Sequence, residues 1–213
     1  MKLLVNLGCG LNAPDGWVNV DAAIGARLAR LPLFSEVNDA LHIVRAPWPR
    51  NITIHDLNRP LPWPDACVDG IYLSHVLEHF SREGGRRLLS ECHRVLRKRG
   101  VVRVVVPDLR ALVADYVGGN TDARDLLTTL GAGSVDADGV LKQRLGCLFR
   151  FPHRCMYDSS ALMSALRETG FTATLCAPYE GKLESLATVE VTDSGRLAGA
   201  VVGAVVAEGM RLG

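Results

Sequence analysis

A short apolar run that ends in two closely spaced glycines is the feature that most constrains the fold of this chain. Leu3–Leu7 has the apolarity of a strand buried on both faces, and Gly8-Cys9-Gly10 follows it directly. Glycine lets the backbone adopt conformations that a side chain forbids and approach a ligand closely. In open α/β sheets, ligands bind at the carboxyl ends of the strands. The run therefore predicts one strand of a parallel sheet with a binding site at its end.

Further apolar runs alternate with helix-like stretches, which is typical of a parallel sheet covered by helices. The clearest helices are Glu83–Lys98, which Gly100 would end, and Ser159–Thr169, which Asp158 would cap. We predict the remaining strands at Trp17–Val20, Asn51–Ile54, Val68–Leu73, Val101–Val106, Thr172–Leu175 and Val201–Ala207.

The length of 213 residues suits one domain, so we expect residues 1–213 to form a single unit. Two segments, 22–50 and 108–150, are longer than the connections of a minimal alternating core. Connections of such length are commonly lids or partner surfaces. We therefore expect them to rim a pocket or to form the interface of a homodimer.

Composition excludes several classes of protein. The 24 basic and 23 acidic residues leave a net charge of +1, which gives no general footprint for nucleic acid. No run reaches the roughly 18 to 20 apolar residues of a membrane span, and the start of the chain turns polar too early for a signal peptide. The six cysteines form no C-x-x-C pair, so no zinc knuckle or disulfide framework is indicated. We expect a cytoplasmic protein.

Polar side chains follow three more of the predicted strands. Asp21 ends the second strand, where a carboxylate can bind both hydroxyls of a ribose, although a helix cap or a surface position would equally suit an isolated Asp. His55-Asp56-Leu57 follows the third strand, and Ser74-His75 follows the fourth.

Taken in order, these motifs resemble those of class I S-adenosylmethionine-dependent methyltransferases. More narrowly, they are similar to a small bacterial group, akin to methyltransferase type 11, that is often linked to sugar and polysaccharide synthesis. In that group a proline commonly precedes the glycine of the turn at Gly100, and Arg99 stands in its place. The segments that carry the resemblance are Gly16–Asp21, Pro60–Asp65, Ser74–His79, Glu91–Gly100, Arg103–Leu109 and His153–Asp158.

The resemblance implies an α/β, Rossmann-like class I methyltransferase fold with a seven-stranded, mostly parallel sheet and helices on both faces. Ten residues separate Gly10 from Asp21, so the first helix must be shortened. The resemblance also implies a site for S-adenosylmethionine. Its cofactor-binding residues would be Asn6, Gly8, Cys9, Gly10 and Asn12 near the methionine part, Asp21 at the ribose, Asp56 and Leu57 at the adenine, and Ser74 beside the methyl group.

The expected reaction is O-methylation of a sugar or glycan hydroxyl, with a small molecule or oligosaccharide as acceptor. Such an acceptor needs a positioned base or a metal that acidifies the hydroxyl. The catalytic candidates are His75, His153 and Tyr157, with Glu78 as a partner. Packing of His75 on the sheet and a structural network around His153 are the alternatives. A non-sugar acceptor, including a nitrogen, stays open.

Two other interpretations remain. His75-Val76-Leu77-Glu78-His79 also matches H-x-x-E-H, in which two histidines one helical turn apart bind zinc in peptidases. A divalent ion such as Mg²⁺ near Glu78, His79 or His153 is a lesser hypothesis. A cofactor-binding subunit without catalysis is a third class, against which the presence of both Asp21 and Asp56 argues.

Overall fold

The computed structural model describes residues 2–31, 48–131, 152–190 and 203–212, and these form a sheet of seven strands. The strand order is β3-β2-β1-β4-β5-β7-β6. β7 runs antiparallel to both of its neighbours, β5 and β6, and the other neighbouring pairs are parallel. The predicted fold class is confirmed. The strands are β1 (Leu4–Leu7), β2 (Val18–Asp21), β3 (Ile52–Ile54), β4 (Val68–Ser74), β5 (Leu96–Pro107), β6 (Thr172–Leu175) and β7 (Ala204–Met210).

The connection between β1 and β2 contains turns and no helix, as the short spacing predicted. Of the two long segments, residues 32–47 and 132–150 lie outside the described part of the chain, as do Val201 and Val202 of the last predicted strand. The role of these segments as lids or dimer surface stays a prediction. The helices are α1 (Ile24–Leu28), α2 (Arg82–Val95), α3 (Leu109–Val117), α4 (Ala123–Thr129), α5 (Ser159–Glu168) and α6 (Leu186–Val189).

The end of α2 differs from the prediction. The helix begins after Ser81, whose hydroxyl accepts from the Gly84 N–H, but it ends at Val95 instead of Lys98. Leu96 already belongs to β5 and pairs with Val68 of β4. Leu96 extends the apolar stripe of α2 in sequence, which is why periodicity alone continued the helix. Gly100 therefore lies within β5 and does not terminate α2.

Arg99 lies in a bulge at the start of β5. Val68 pairs with Leu96 but Gly70 pairs with Val101, so the intervening residues of β5 loop away from β4. Arg99 has a φ of +65°, in the left-handed region. Proline fixes φ near about −65°, so a proline cannot stand here. Assigning Arg99 to a proline position was wrong, because this backbone favours glycine.

The core lies on both faces of the sheet. On one face, α2 contributes Leu88 and Leu89 and α5 contributes Leu162 and Leu166, all essentially buried. Asp158 accepts from the Ala161 N–H and caps α5, as predicted. The second face is covered by residues 177–190, which include α6. Its core residues are Leu4, Trp17, Tyr72, Val101, Val105, Leu183, Leu186, Val189 and Val206.

A buried ionic network that the sequence did not reveal lies on the second face. Arg103 of β5 is fully buried and forms ion pairs with Glu190 and with Glu208. Glu208 is the residue of β7 that lies opposite Arg103 in the sheet. Its guanidinium also donates to the carbonyl oxygens of Glu180 (2.7 Å) and Ala177 (3.1 Å). Burial alone would lower the pKa of Arg103, but the bond to Glu190 and the acidic charges raise it above its ordinary value. The network fixes residues 177–190 to the sheet.

Candidate active site

The turn after β1 is held against β2 by the backbone. The N–H groups of Gly8 and Cys9 donate to the Val20 carbonyl at 2.8 and 3.0 Å. Gly8 and Gly10 both have positive φ, +66° and +55°. A Cβ on Gly8 would lie 2.4 Å from Cγ2 of Val76, so only glycine fits there. The turn therefore presents backbone rather than side chains at the carboxyl edge of the sheet.

The Asp21 carboxylate is fixed by two backbone donors. Gly10 N–H donates to Oδ2 at 2.8 Å, and Ala23 N–H donates to Oδ1 at 2.7 Å. Each carboxylate oxygen has further acceptor capacity beyond one such bond. Asp21 thus ties the glycine turn to β2, and each of its oxygens can accept a further hydrogen bond.

Asn6 and Asn12 brace this turn from within the protein. Asn6 is 2% exposed, and its Nδ2 donates to the Asn12 carbonyl at 2.8 Å and to Asn19 Oδ1 at 3.1 Å. The side chain of Asn12 donates to the Val189 carbonyl at 2.7 Å. Because these amide donors are used within the protein, both residues support the turn rather than offer those donors to a ligand.

Cys9 is the small side chain between the two glycines. Burial, followed by the nearby Asp21 charge, raises the pKa of its thiol to about 12. A thiol with so high a pKa is a poor nucleophile at neutral pH. Cys9 therefore suits the turn as a small side chain and not as a nucleophile.

Asp56 lies beyond β3, at the same edge as Asp21. Ile54 pairs with Asp21 across β2 and β3, and the His55 N–H donates to the Asp21 carbonyl at 3.2 Å. Asn58 donates to Asp56 Oδ1 from its backbone and its side chain, at 2.9 Å each, and these bonds hold the pKa of Asp56 below its ordinary value. Asp56 is therefore an ionised acceptor beside Leu57.

Sequence analysis did not select His55, whose buried Nε2 has no hydrogen-bond partner in the described residues. Its place next to Asp56 was the only signal in the sequence. We add His55 to the polar groups at this edge.

The end of β4 carries a histidine paired with a buried carboxylate. His75 has a φ of +54°, an uncommon value for a residue with a side chain, and its N–H donates to the Val105 carbonyl at 3.0 Å. Nδ1 of His75 lies 3.1 Å from Oε1 of Glu78. The His75 side chain is 33% exposed and that of Glu78 is fully buried. Ser74, the preceding residue, has a buried hydroxyl oxygen without a described partner.

His153 joins this group from a distant part of the chain. The Glu78 carbonyl accepts from the N–H groups of Arg154 (2.7 Å) and Cys155 (3.1 Å), which anchors the segment that carries His153. The rings of His79 and His153 are 5.1 Å apart between centroids. Burial lowers the pKa of His153 below its ordinary value. The structure thus brings together His75, Glu78, His79 and His153.

Tyr157 does not share this position. It is 5% exposed and packs in the main core, where its hydroxyl lies 3.2 Å from the point that a Cβ on Gly85 would occupy. Burial raises its pKa above the ordinary value. Because a buried phenol with a raised pKa is a poor base, we rank Tyr157 below His75 and His153 as the candidate base.

The zinc-peptidase interpretation is wrong in its geometry. Leu77–His79 forms one 3-10 turn, which begins after His75 in its left-handed conformation. His75 and His79 therefore do not lie on one α-helix, as the H-x-x-E-H motif requires. His75 instead pairs with Glu78.

Comparisons with known proteins find one family and a number of similar folds. Residues 6–104 match a family described as methyltransferase domain. A structure of a SAM-dependent methyltransferase from Archaeoglobus fulgidus has 14% identity and a TM-score of 0.50, over 99% of this chain and 86% of that chain. Apo SibL, a S-adenosylmethionine-dependent methyltransferase, has 18% identity and a TM-score of 0.46 over 99% of this chain and 50% of its own. The CurJ carbon methyltransferase has 16% identity and a TM-score of 0.49 over 100% of this chain and 49% of its own.

This chain thus spans about half the length of SibL and CurJ. A search of curated proteins found no match. None of the helices in the described ranges is both long and apolar enough to cross a membrane.

Sheet order, glycine turn and family match therefore agree with one another. The strand order with an antiparallel β7 is that of the Rossmann-like methyltransferases, and the matched residues contain the glycine turn and Asp21. The cofactor of these domains is S-adenosylmethionine. Residues 6–104 of this chain match the methyltransferase domain family, and the described residues have the Rossmann-like fold of class I methyltransferases.

Proposed function

We propose that the protein transfers the methyl group of S-adenosylmethionine to a hydroxyl of a small polar acceptor, with a sugar or glycan as the first candidate. The observation that carries this proposal is the pairing of His75, which is partly exposed, with the fully buried Glu78. A histidine oriented by a carboxylate at the edge of a binding site is the usual form of a general base.

The positions of the polar groups support one orientation of the cofactor. Four adjacent strands, in the order β3, β2, β1 and β4, end in Asp56, Asp21, the glycine turn and Ser74. Along these strands we place adenine at β3, ribose at β2 and the methionine part at β1, with the methyl group on the sulfur facing the end of β4. We assign Asp56 and Leu57 to the adenine and Asp21 to the ribose. The turn at Gly8–Gly10 would then line the methionine part.

His75 is placed to remove the acceptor proton. A carboxylate can only accept a hydrogen bond, so Nδ1 of His75 carries the proton towards Glu78 and Nε2 carries the lone pair. When bound, the cofactor supplies a methyl group on a sulfonium. The acceptor oxygen would form the new bond to the methyl carbon while its proton passes to Nε2. The electron pair of the broken C–S bond remains on sulfur, which gives S-adenosylhomocysteine.

A neutral polyol fits the charges of the site better than a polyanion. The residues that face the proposed acceptor are histidines, a serine and a carboxylate, and the whole chain has a net charge of +1. The resemblance to a group linked to polysaccharide synthesis adds the sugar. A non-sugar hydroxyl or an amine would use the same cofactor site, and His153 is the second candidate base.

A methyl-transfer screen with labelled cofactor tests the proposal. Glycosides, other hydroxylated compounds and amines would be offered to the protein, and we expect label in the glycoside group. His75→Asn should abolish transfer while S-adenosylhomocysteine still raises the melting temperature. Label only in amines would overturn the oxygen acceptor. Binding of S-adenosylhomocysteine without transfer to any acceptor in the panel would favour a non-catalytic subunit.

A further inference from the structure

Glu78, His79 and His153 converge although they come from two distant segments of the chain. One ligand atom from each of the three residues lies within 4.8 Å of the others. One carboxylate and two imidazoles form a donor set that zinc uses in catalytic sites. We propose that these three residues form a binding site for a divalent metal ion of the zinc type.

The buried carboxylate supplies an independent observation. Glu78 is fully buried, and its Oε1 pairs with His75. Its other oxygen, Oε2, is buried and has no hydrogen-bond partner among the described residues. A buried carboxylate oxygen without a partner is costly in a folded protein. A cation at this position would satisfy Oε2 directly.

His153 repeats the pattern from the other segment. Its Nδ1 is buried, and the described residues offer it no partner. An imidazole nitrogen with a lone pair can bind a metal ion. Two of the three residues therefore carry a buried polar atom for which the described residues offer no partner.

The distances require little movement. Zinc binds nitrogen and oxygen at about 2.0–2.2 Å in a tetrahedron, so two of its ligand atoms lie about 3.3–3.6 Å apart. The observed separations reach no more than 4.8 Å, so rotation of the side chains would have to close the largest of them by about 1.2–1.5 Å. The backbone is already fixed, because the Glu78 carbonyl accepts from Arg154 and Cys155 at 2.7 and 3.1 Å. The two segments are thus held in register before an ion binds.

The donor set distinguishes this site from a magnesium site. Mg²⁺ prefers oxygen ligands and retains several waters, whereas imidazoles favour zinc and related ions. Three protein ligands would leave a fourth position open, as in catalytic zinc sites. The second oxygen of the same carboxylate holds His75, so an oxygen bound in the open position would lie near the proposed base. This last role rests on the proposed function; the binding of the ion does not.

Metal binding can be measured without cofactor or acceptor. The purified chain, stripped with a chelator and dialysed, would be titrated with Zn²⁺ by calorimetry and then analysed for metal content. We expect a single ion per chain. Co²⁺ in place of Zn²⁺ should give the visible absorption of a four-coordinate site. Absence of stoichiometric binding would overturn the proposal.

Variants test the assignment of the ligands. Glu78→Gln and His153→Ala should each weaken Zn²⁺ binding by at least about 10-fold. His93→Ala is the matched control, because this ring packs on Phe171 at 5.0 Å between centroids and does not belong to the cluster, so its loss should not affect binding. Stabilisation by S-adenosylhomocysteine would show that each variant is folded. Unchanged affinity in folded Glu78→Gln and His153→Ala would overturn the site.

The role in transfer has a separate readout. If Zn²⁺ binds, labelled methyl transfer should be lost in chelator and restored by added Zn²⁺. That result would show that the ion takes part in transfer to the acceptor. Transfer that proceeds equally in chelator would overturn this role, while the proposed methyltransferase function would stand.

Discussion

Two regions of the protein bury carboxylates, and they differ in how completely the carboxylate oxygens are hydrogen-bonded. On one face of the sheet, Glu190 and Glu208 surround Arg103, and their oxygens also accept from backbone N–H groups of Tyr179, Lys182 and Leu183. At the end of β4, Glu78 is equally buried, yet its Oε2 has no described partner.

The difference separates buried carboxylates that stabilise the fold from a buried carboxylate that we assign to function. A buried charge whose hydrogen bonds are complete contributes to a defined structure, whereas an incomplete one has to be explained by a ligand, an ion or strain. The Arg103 network fixes residues 177–190, which no proposed chemistry uses. The region around Glu78 includes the residues to which we assign proton transfer and metal binding. Substitutions can test this division.

Arg103→Met should have the largest effect. It leaves the carboxylates of Glu190 and Glu208 buried without their cation, which costs about 3–5 kcal/mol of unfolding free energy. Urea unfolding would measure the loss. Arg97→Met, which breaks the exposed pair with Asp69, is the control and should change stability by less than about 1 kcal/mol. Equal effects of the two variants would contradict the structural role of the network.

Glu78→Gln should show the opposite combination to Arg103→Met, with little loss of stability and a large loss of methyl transfer. In metal-free protein it removes a buried, half-satisfied charge, so we expect the unfolding free energy to fall by less than about 1 kcal/mol or to rise. Methyl transfer should fall by about 100-fold or more, because the general base loses its orienting carboxylate. Urea unfolding and a labelled-cofactor assay on one preparation would give both values. A large loss of stability with normal transfer would reverse our assignment.

Asp21→Asn tests a carboxylate whose hydrogen bonding lies between these two cases. Its oxygens accept from the Gly10 and Ala23 N–H groups, and each can accept one more bond. We expect affinity for S-adenosylhomocysteine to fall by about 10- to 100-fold, since hydrogen bonds to a charged group contribute about 1.5–3 kcal/mol. Calorimetry would measure it. The control is Asp65→Asn, a 75% exposed carboxylate paired with Arg94, which should not alter affinity. Equal affinity of Asp21→Asn and the original chain would refute the placement of the ribose.

Arg99→Gly should give the smallest change, and it should be stabilising. The left-handed backbone at this position costs a residue with a Cβ about 1–2 kcal/mol, part of which glycine loses again through entropy of the unfolded chain. We expect a net gain of about 0.5 kcal/mol in thermal or urea unfolding. Arg99→Ala keeps the Cβ and should give no gain. A gain of equal size with alanine would assign the effect to charge instead.

The strands and the glycine turn could be predicted because their signals are local. Leu3–Leu7 and the following glycines form one continuous motif, and Asp21 follows its own strand directly. The partners of Arg103 could not be predicted, because Glu190 and Glu208 lie 87 and 105 residues away in the chain. The same limit applies at the acceptor side, where the sequence placed Tyr157 beside His153.

Within His153–Tyr157 only the fold shows which residue points to the cluster and which to the core. A short polar run carries no information about which of its members faces inwards. The predicted end of α2 was wrong for a related reason, because an apolar residue such as Leu96 suits a helix and a buried strand equally.

The position of β7 sets an order for the assembly of the nascent chain. β6 pairs with β7 and reaches β5 only through it, although β7 comes later in the chain. The turn after β1 is likewise anchored late, because Asn12 donates to the Val189 carbonyl and Trp17 donates to Thr188 Oγ1 at 2.9 Å. On the ribosome, β1 could pair with β2 and β4 early, but Asn12 and Trp17 would gain these two bonds only after residues 188 and 189 have been made. The sheet itself is complete only when β7 has been made, so the proposed cofactor site would reach its final form late in synthesis.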